Sequence, residues 1–317
     1  MTPARTTAVA AYATLGTVWG FNFVFMHMAS PYISAEQTTL LRIAFGLVPV
    51  VVFALVKRAF AWRHLRHTHH FVVMSVLATG LYYYAYAAGT YRLDSGIAGA
   101  LSGSIPLFAF LAAVVALRTE PFTVRKAAGL AIGALGVVVL ARPWAAGAVD
   151  TTGVLYMLLG SASLGASFAY ARRFISPLGI PAAASATYQM VLAGASLTVV
   201  TDLDGITAIM DDPLALAGVA LGLGAIGTGL AFILYYITIA RLGALTASTA
   251  TYIPPVVAVI IGATFLREPV LPTTILAIVL ILAAAGVIQM PFSGGRLRPG
   301  GYVRKREPRT CSTNTEA

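Results

Sequence analysis

Four histidines stand within seven residues, His64, His67, His69 and His70 in H-L-R-H-T-H-H. Imidazole clusters of this kind bind zinc, nickel or iron. A membrane di-iron oxygenase needs several such boxes, whereas this chain has five histidines in all, the fifth being His27. The cluster lies in a basic stretch beside Arg63 and Arg66. It reads as a solvated loop with adventitious metal affinity, and no metal or cofactor is expected. Cys311 is the lone cysteine, which excludes an internal disulfide framework.

Two short charged stretches hold the next candidates. L-R-T-E-P occupies 117–121 and L-R-E-P occupies 266–269. Glu120 follows Pro106, and Glu268 follows Pro254, by the same 14 residues. Buried, such carboxylates would couple ion movement. At a helix start they do plainer work, because an acid offsets the positive helix end and proline suits a first turn. Both stand at the ends of apolar runs, so both are expected to cap the helices that follow them. No Asp, Glu or Lys lies deep in an apolar run. The deep polar residues are Asn22, Gln189 and the tyrosines, with His27 and Arg42 nearer the run ends. His27 is therefore the one titratable candidate for coupling, although a lone histidine near a helix end also suits a membrane interface.

Composition says what must position these groups. Of 317 residues, 58% are hydrophobic and 10% charged, with a mean hydropathy of +0.84. Soluble domains carry about 45–50% apolar residues, so lipid is the solvent that fits. Charges collect between apolar runs of about 20 residues, the length that crosses a hydrocarbon core of about 30 Å. Ten such runs lie near 8–28, 38–56, 71–90, 96–117, 125–141, 153–171, 182–200, 214–236, 244–266 and 272–290. The first reads as a retained span and not a cleaved leader. With the N-terminus inside, 17 of the 21 Lys and Arg fall in inside segments and three outside, so both termini are expected in the cytoplasm. The net charge of +10 is then a cytoplasmic face against anionic lipid and not a nucleic-acid footprint.

The two charged stretches also belong to an internal repeat. Displaced by 148 residues, Ile105-Pro106 falls on Ile253-Pro254, Glu120-Pro121 on Glu268-Pro269, and Pro143 on Pro291. Displaced by 149, T-G-L-Y-Y-Y-A-Y-A-A-G-T-Y-R-L (79–93) falls on T-G-L-A-F-I-L-Y-Y-I-T-I-A-R-L (228–242). W-G-F-N-F (19–23) falls on L-G-A-S-F (164–168). The chain thus divides into an N-terminus (1–7), a first five-helix repeat (8–143), a second (144–291) and a basic, disordered tail (292–317). Five is odd, so the second copy enters the membrane from the opposite side. The expected fold is an all-α membrane protein of ten transmembrane helices in two inverted five-helix repeats. Such repeats build alternating-access transporters with a site near the midplane.

W-G-F-N-F (19–23), L-R-I-A (41–44) and the paired Pro106…Glu120-Pro121 and Pro254…Glu268-Pro269 units resemble the drug/metabolite transporter superfamily, specifically EamA-type transporters. The resemblance covers about residues 8–290. It implies a small-metabolite or amino-acid exporter of the cytoplasmic membrane and leaves the substrate open, because function sits in the site and not the fold.

The candidate cavity residues come from faces shared by the two repeats. Thr79, Tyr83 and Tyr86 sit at i, i+4 and i+7, and Thr228, Phe232 and Tyr235 hold the matching face. Trp19 and Asn22 share one face of the first helix. Arg42 either snorkels to the headgroups or faces the cavity and attracts a carboxylate, and Gln189 stands in the corresponding region of the second repeat. Tyr252, with Ser102, Ser104, Ser167, Tyr170 and Thr249, forms a weaker set. Pro106, Pro254 and Pro255 remove backbone bonds and give kink points. A membrane enzyme would need a clustered nucleophile and base, retinal a deep lysine, and haem two deep histidines, and none is visible. The reading is therefore a secondary transporter whose partners are the bilayer and a small solute, with an uncoupled facilitator as alternative and monomer or homodimer left open.

Overall fold

Long apolar runs in lipid must satisfy their own backbone, and coiling into helices does so. The computed structural model describes residues 3–116, 118, 123–142, 144, 149–242 and 249–289, and among them there is no strand. The helices in chain order are α1 (Pro3–Ala29), α2 (Ala35–Val56), α3 (Trp62–Thr90), α4 (Ser95–Val115), α5 (Val124–Ala141), α6 (Thr151–Leu178), α7 (Ala182–Val200), α8 (Pro213–Ile239), α9 (Thr249–Phe265) and α10 (Pro272–Gln289). The first eight are long and apolar enough to cross a membrane, and α9 and α10 are shorter apolar helices. Large apolar side chains such as Val52, Val56, Leu155 and Val199 point outward and are exposed, the surface a lipid-embedded bundle requires.

Two sequence expectations change here. Helix α3 begins at Trp62, so the four histidines lie on its opening turns and not in a loop. Tertiary contacts hold those turns. His64 is buried against Tyr188, with its Nδ1 3.4 Å from the hydroxyl, and His70 Nδ1 lies 2.7 Å from the Tyr170 hydroxyl. Among the described residues no group of three or more His, Cys, Asp or Glu is placed to hold a metal. Glu268 does cap a helix, but the wrong one for the expectation. Its carboxylate accepts from the Ser95 and Gly96 N–H groups at 2.7 and 2.9 Å, closing the N-terminus of α4 and not that of α10. The chain reverses at Arg267 (φ 58°) after α9, and the Glu268 N–H returns to the Gly262 carbonyl at 3.0 Å, which aims the side chain across the repeat boundary. Arg118 (φ 51°) adopts the same left-handed conformation at the equivalent place in the first repeat, while Glu120 lies outside the described residues.

The prolines stand beside breaks instead of inside continuous helix. Helix α4 breaks at Gly103–Ser104, and Pro106 falls in the first turn of its second piece. Helix α9 opens with a tight turn, Thr249–Tyr252, and Pro254 and Pro255 fall in the first turn after it. A first turn does not need the missing N–H, so each bend costs little.

Packing follows an exchange of each helix for the one five places on. The α1–α8 and α1–α9 contacts match α6–α3 and α6–α4, α2–α8 matches α7–α3, and α2–α7, α4–α9 and α5–α10 pair with themselves. The main core cluster draws Phe23, Tyr86, Leu101, Leu140, Met157 and Leu223 from both halves.

Candidate functional site

A cavity of about 160 Å³ lies where the two repeats meet. Two local irregularities shape it. Helix α3 widens to a π turn at Val76–Gly80, and α8 does so over Gly218–Leu230. Both widened stretches include the repeated Thr-Gly dipeptide near their ends, and they bring Ala78 and Gly227, which are equivalent in the repeat, to the wall. Wide turns of this kind are rare and concentrate at functional sites.

Nine of the eleven residues expected at a cavity line this one: Trp19, Asn22, Arg42, Tyr83, Tyr86, Gln189, Thr228, Phe232 and Tyr235. Thr79 and Tyr252 do not. In the α3 π turn Ala78 faces the cavity and Thr79 is buried beside it, whereas in α8 both Gly227 and Thr228 reach the wall. Tyr252 closes the tight turn that opens α9, and Thr251 faces inward instead. Of the weaker set, Ser102 and Ser167 reach the wall, whereas Ser104, Tyr170 and Thr249 do not. His27 also lies off the wall, with Asp94 as a charged neighbour. Burial, and then the negative charge of Glu268, push the Asp94 carboxyl above its usual range, with His27 and Arg142 opposing.

Among the described residues, Arg42 is the one charged residue on the wall. It is 3% exposed, so it does not snorkel. Its Nε donates to the Thr228 hydroxyl at 2.9 Å, and that hydroxyl donates to the Leu223 carbonyl at 3.0 Å. The second bond occupies the Thr228 proton and leaves its oxygen as an acceptor for Arg42. The guanidinium carbon lies 3.7 Å from the centre of the Tyr83 ring, a close cation–π contact. No carboxylate in the described residues pairs with Arg42. Asn22 is likewise 3% exposed. Its amide donates to the Gly227 carbonyl at 3.4 Å, and its Oδ1 is buried without a partner.

The remaining wall is aromatic. The Tyr86 hydroxyl bonds Ser161 Oγ at 2.9 Å. Ring centres of Tyr82 lie 4.9 Å from Tyr83 and 4.6 Å from Tyr86, and Trp19 and Tyr235 lie 6.0 Å apart. Tyr82 escaped the sequence reading because it neighbours Tyr83, and adjacent residues do not share a face of a regular helix. Phe168 was findable as the repeat mate of Phe23. Among the described residues the wall carries no Asp, Glu, Lys, His or Cys, and they offer no nucleophile–base pair there. It can enclose a small solute with an apolar body and a few polar atoms.

The description "EamA-like transporter family" matches the chain twice, over residues 6–142 and 151–290. An uncharacterized transporter of Archaeoglobus fulgidus is 23% identical over 275 residues, covering 86% of this chain and 95% of its own. Protein PecM of Dickeya dadantii is 20% identical over 279 residues, covering 86% and 89%. A crystal structure at 18% identity superposes with a TM-score of 0.54, covering 89% of this chain and 96% of its own, and shares the fold.

Proposed function

The chain belongs to the EamA-like transporter family, and from that premise we propose that it is a secondary transporter moving a small solute through this cavity by alternating access. One observation carries the reading: equivalent residues of the two repeats line a single cavity. Trp19 and Leu164, Asn22 and Ser167, Phe23 and Phe168, Ala78 and Gly227, and Tyr86 and Tyr235 all reach the wall. A site shared in this way can be uncovered by movement of either half. Counting α9 and α10 as spans gives ten, and five per repeat inverts the second copy in the membrane. The excess of Lys and Arg then puts both termini in the cytoplasm and Glu268 on the outer face. The Glu268 clasp onto α4 supports closure of that face. Export across the cytoplasmic membrane follows the family resemblance.

The test is reconstitution into liposomes with flux measured for amino acids, nucleosides and organic acids, with and without a pH gradient. Saturable flux of at least one class supports transport, and none in any class overturns it. A second reading, an uncoupled facilitator, draws on the wall having, among the described residues, no carboxylate or histidine to relay a proton. Under that reading a pH gradient leaves flux unchanged, and a dependence lost in His27→Ala rejects it.

A further inference from the structure

We infer that the solute is an amphipathic organic anion, a single-ring carboxylate in scale, held by its carboxylate on Arg42. This deepens the transport reading and rests on it. The first support is a charge with no counter-charge. Arg42 is buried at 3% exposure in a cavity whose wall has no Asp or Glu among the described residues. A buried ion is costly unless it is paired and hydrogen-bonded. Here the protein supplies neutral partners alone, the Thr228 hydroxyl, the Tyr82 phenol and the face of one ring, Tyr83. Guanidinium has five N–H donors in a planar fork. Nε is committed to Thr228, and the outer nitrogens have no carboxylate. A bidentate oxyanion completes that fork, and a carboxylate matches its geometry.

The guanidinium is also held in place. Thr228 is oriented by its own bond to Leu223, and Tyr83 covers one face of the guanidinium plane. A fixed fork loses little freedom when the anion arrives.

The repeat gives the anion a direction. Several wall positions have a similar mate in the other half, but the region of the second repeat that corresponds to Arg42 offers the neutral Gln189. A pseudo-symmetric cavity with one charged side binds a solute with one charged end. The rings of Trp19, Phe23, Tyr86 and Tyr235 receive the apolar body. The unpartnered Asn22 Oδ1 accepts from any hydroxyl or amide N–H that the body carries. An ammonium group finds no carboxylate on the wall and meets Arg42, so organic cations are rejected. The volume of about 160 Å³ sets the scale, since an apolar protein cavity of about 150 Å³ takes one benzene.

The experiment uses the purified full chain in lipid nanodiscs, with phenylacetate, phenylacetamide and phenethylamine as probes of equal body and different head. Equilibrium binding of labelled phenylacetate is measured, with the other two as competitors. The inference expects phenylacetate to bind about tenfold or more tighter than phenylacetamide, the gap between a bidentate ion pair and a single bond from the guanidinium to a neutral carbonyl. Phenethylamine should not compete. Arg42→Gln should bring the acid down to the amide and leave the amide unchanged, and Arg42→Lys should keep part of the preference. Thr228→Val, which releases the guanidinium but keeps its charge, should weaken the acid and spare the amide. It decides the matter if Arg42→Gln does not fold. Equal binding of acid and amide in the parent, or a preference that survives both Arg42→Gln and Thr228→Val, overturns the inference. The two readings fail separately in reconstituted flux. Saturable flux of neutral or cationic solutes with no acid preference removes the anion alone, whereas absence of flux in every class removes transport.

Discussion

Gly262→Ala tests whether the Glu268 clasp holds the repeats together. Gly262 is buried in α9, and a Cβ there would lie 2.2 Å from Glu268 Oε2 and 2.8 Å from Ser95 Oγ. Neither distance is tolerable, so the carboxylate must leave the two N–H groups it now holds at 2.7 and 2.9 Å. A hydrogen bond to a charged acceptor contributes about 1.5–3 kcal/mol, and partial exposure of this one discounts the pair to about 2–4 kcal/mol together. Replacing glycine by alanine inside a helix returns about 1 kcal/mol. The net is a loss of about 1–3 kcal/mol, opposite in sign to the propensity gain. Gly286→Ala in α10 is the control, because nothing lies within 4 Å of its added Cβ. Thermal unfolding of the purified protein, followed by tryptophan fluorescence, should show Gly262→Ala melting below the parent and Gly286→Ala at or above it. In a Glu268→Ala background the cost of Gly262→Ala should largely vanish, as coupled neighbours require. If Gly262→Ala melts no lower than the parent, or costs as much without Glu268, the clasp contributes nothing to stability.

Tyr86→Ala and Tyr235→Ala should each raise the apparent KM for the transported solute, because both rings line the cavity; unchanged KM in both would make the rings packing only. Ser161→Ala leaves the buried Tyr86 hydroxyl without its 2.9 Å partner and should cost about 1–3 kcal/mol in thermal unfolding; a melting temperature equal to the parent would contradict that bond. The Asp212 carboxyl is held below its usual value of 3.8 by the Ala215 N–H first, then the Tyr32 hydroxyl and the Leu214 N–H. Its contribution is therefore complete above pH 3.8 and is lost as pH falls below it. Asp212→Asn should melt with a shallower decline than the parent in that acid range, and parallel declines would refute the linkage.

The apolar runs were legible because lipid imposes length and hydrophobicity on every span. The boundaries of α7 and α10 lie within a residue of their runs for that reason. What escaped was set by contacts between distant segments. The extension of α3 to Trp62 rests on Tyr188 and Tyr170, more than 100 residues away in some pairs. The target of Glu268 is likewise 173 residues from it in sequence. In the cavity, the repeat identified Tyr86 with Tyr235 and put Gln189 in the region corresponding to Arg42. Periodicity put Thr79 on the wall, where its neighbour Ala78 stands instead, and no residue type announces the π turn that holds both. Arg42 had two open readings from position alone. The hydroxyl of Thr228, brought from the other repeat, holds its guanidinium at the cavity wall.

The most direct test of the account is whether the cavity reaches both sides of the membrane. Ser102 lines it, and Cys311 is the chain's lone cysteine, so Ser102→Cys in a Cys311→Ser background gives one reporter. A membrane-impermeant maleimide applied to right-side-out and to inverted vesicles reads accessibility from each face. The account predicts labelling from both faces, with saturating solute slowing both. Labelling from one face alone, with and without solute, would contradict alternating access through this cavity.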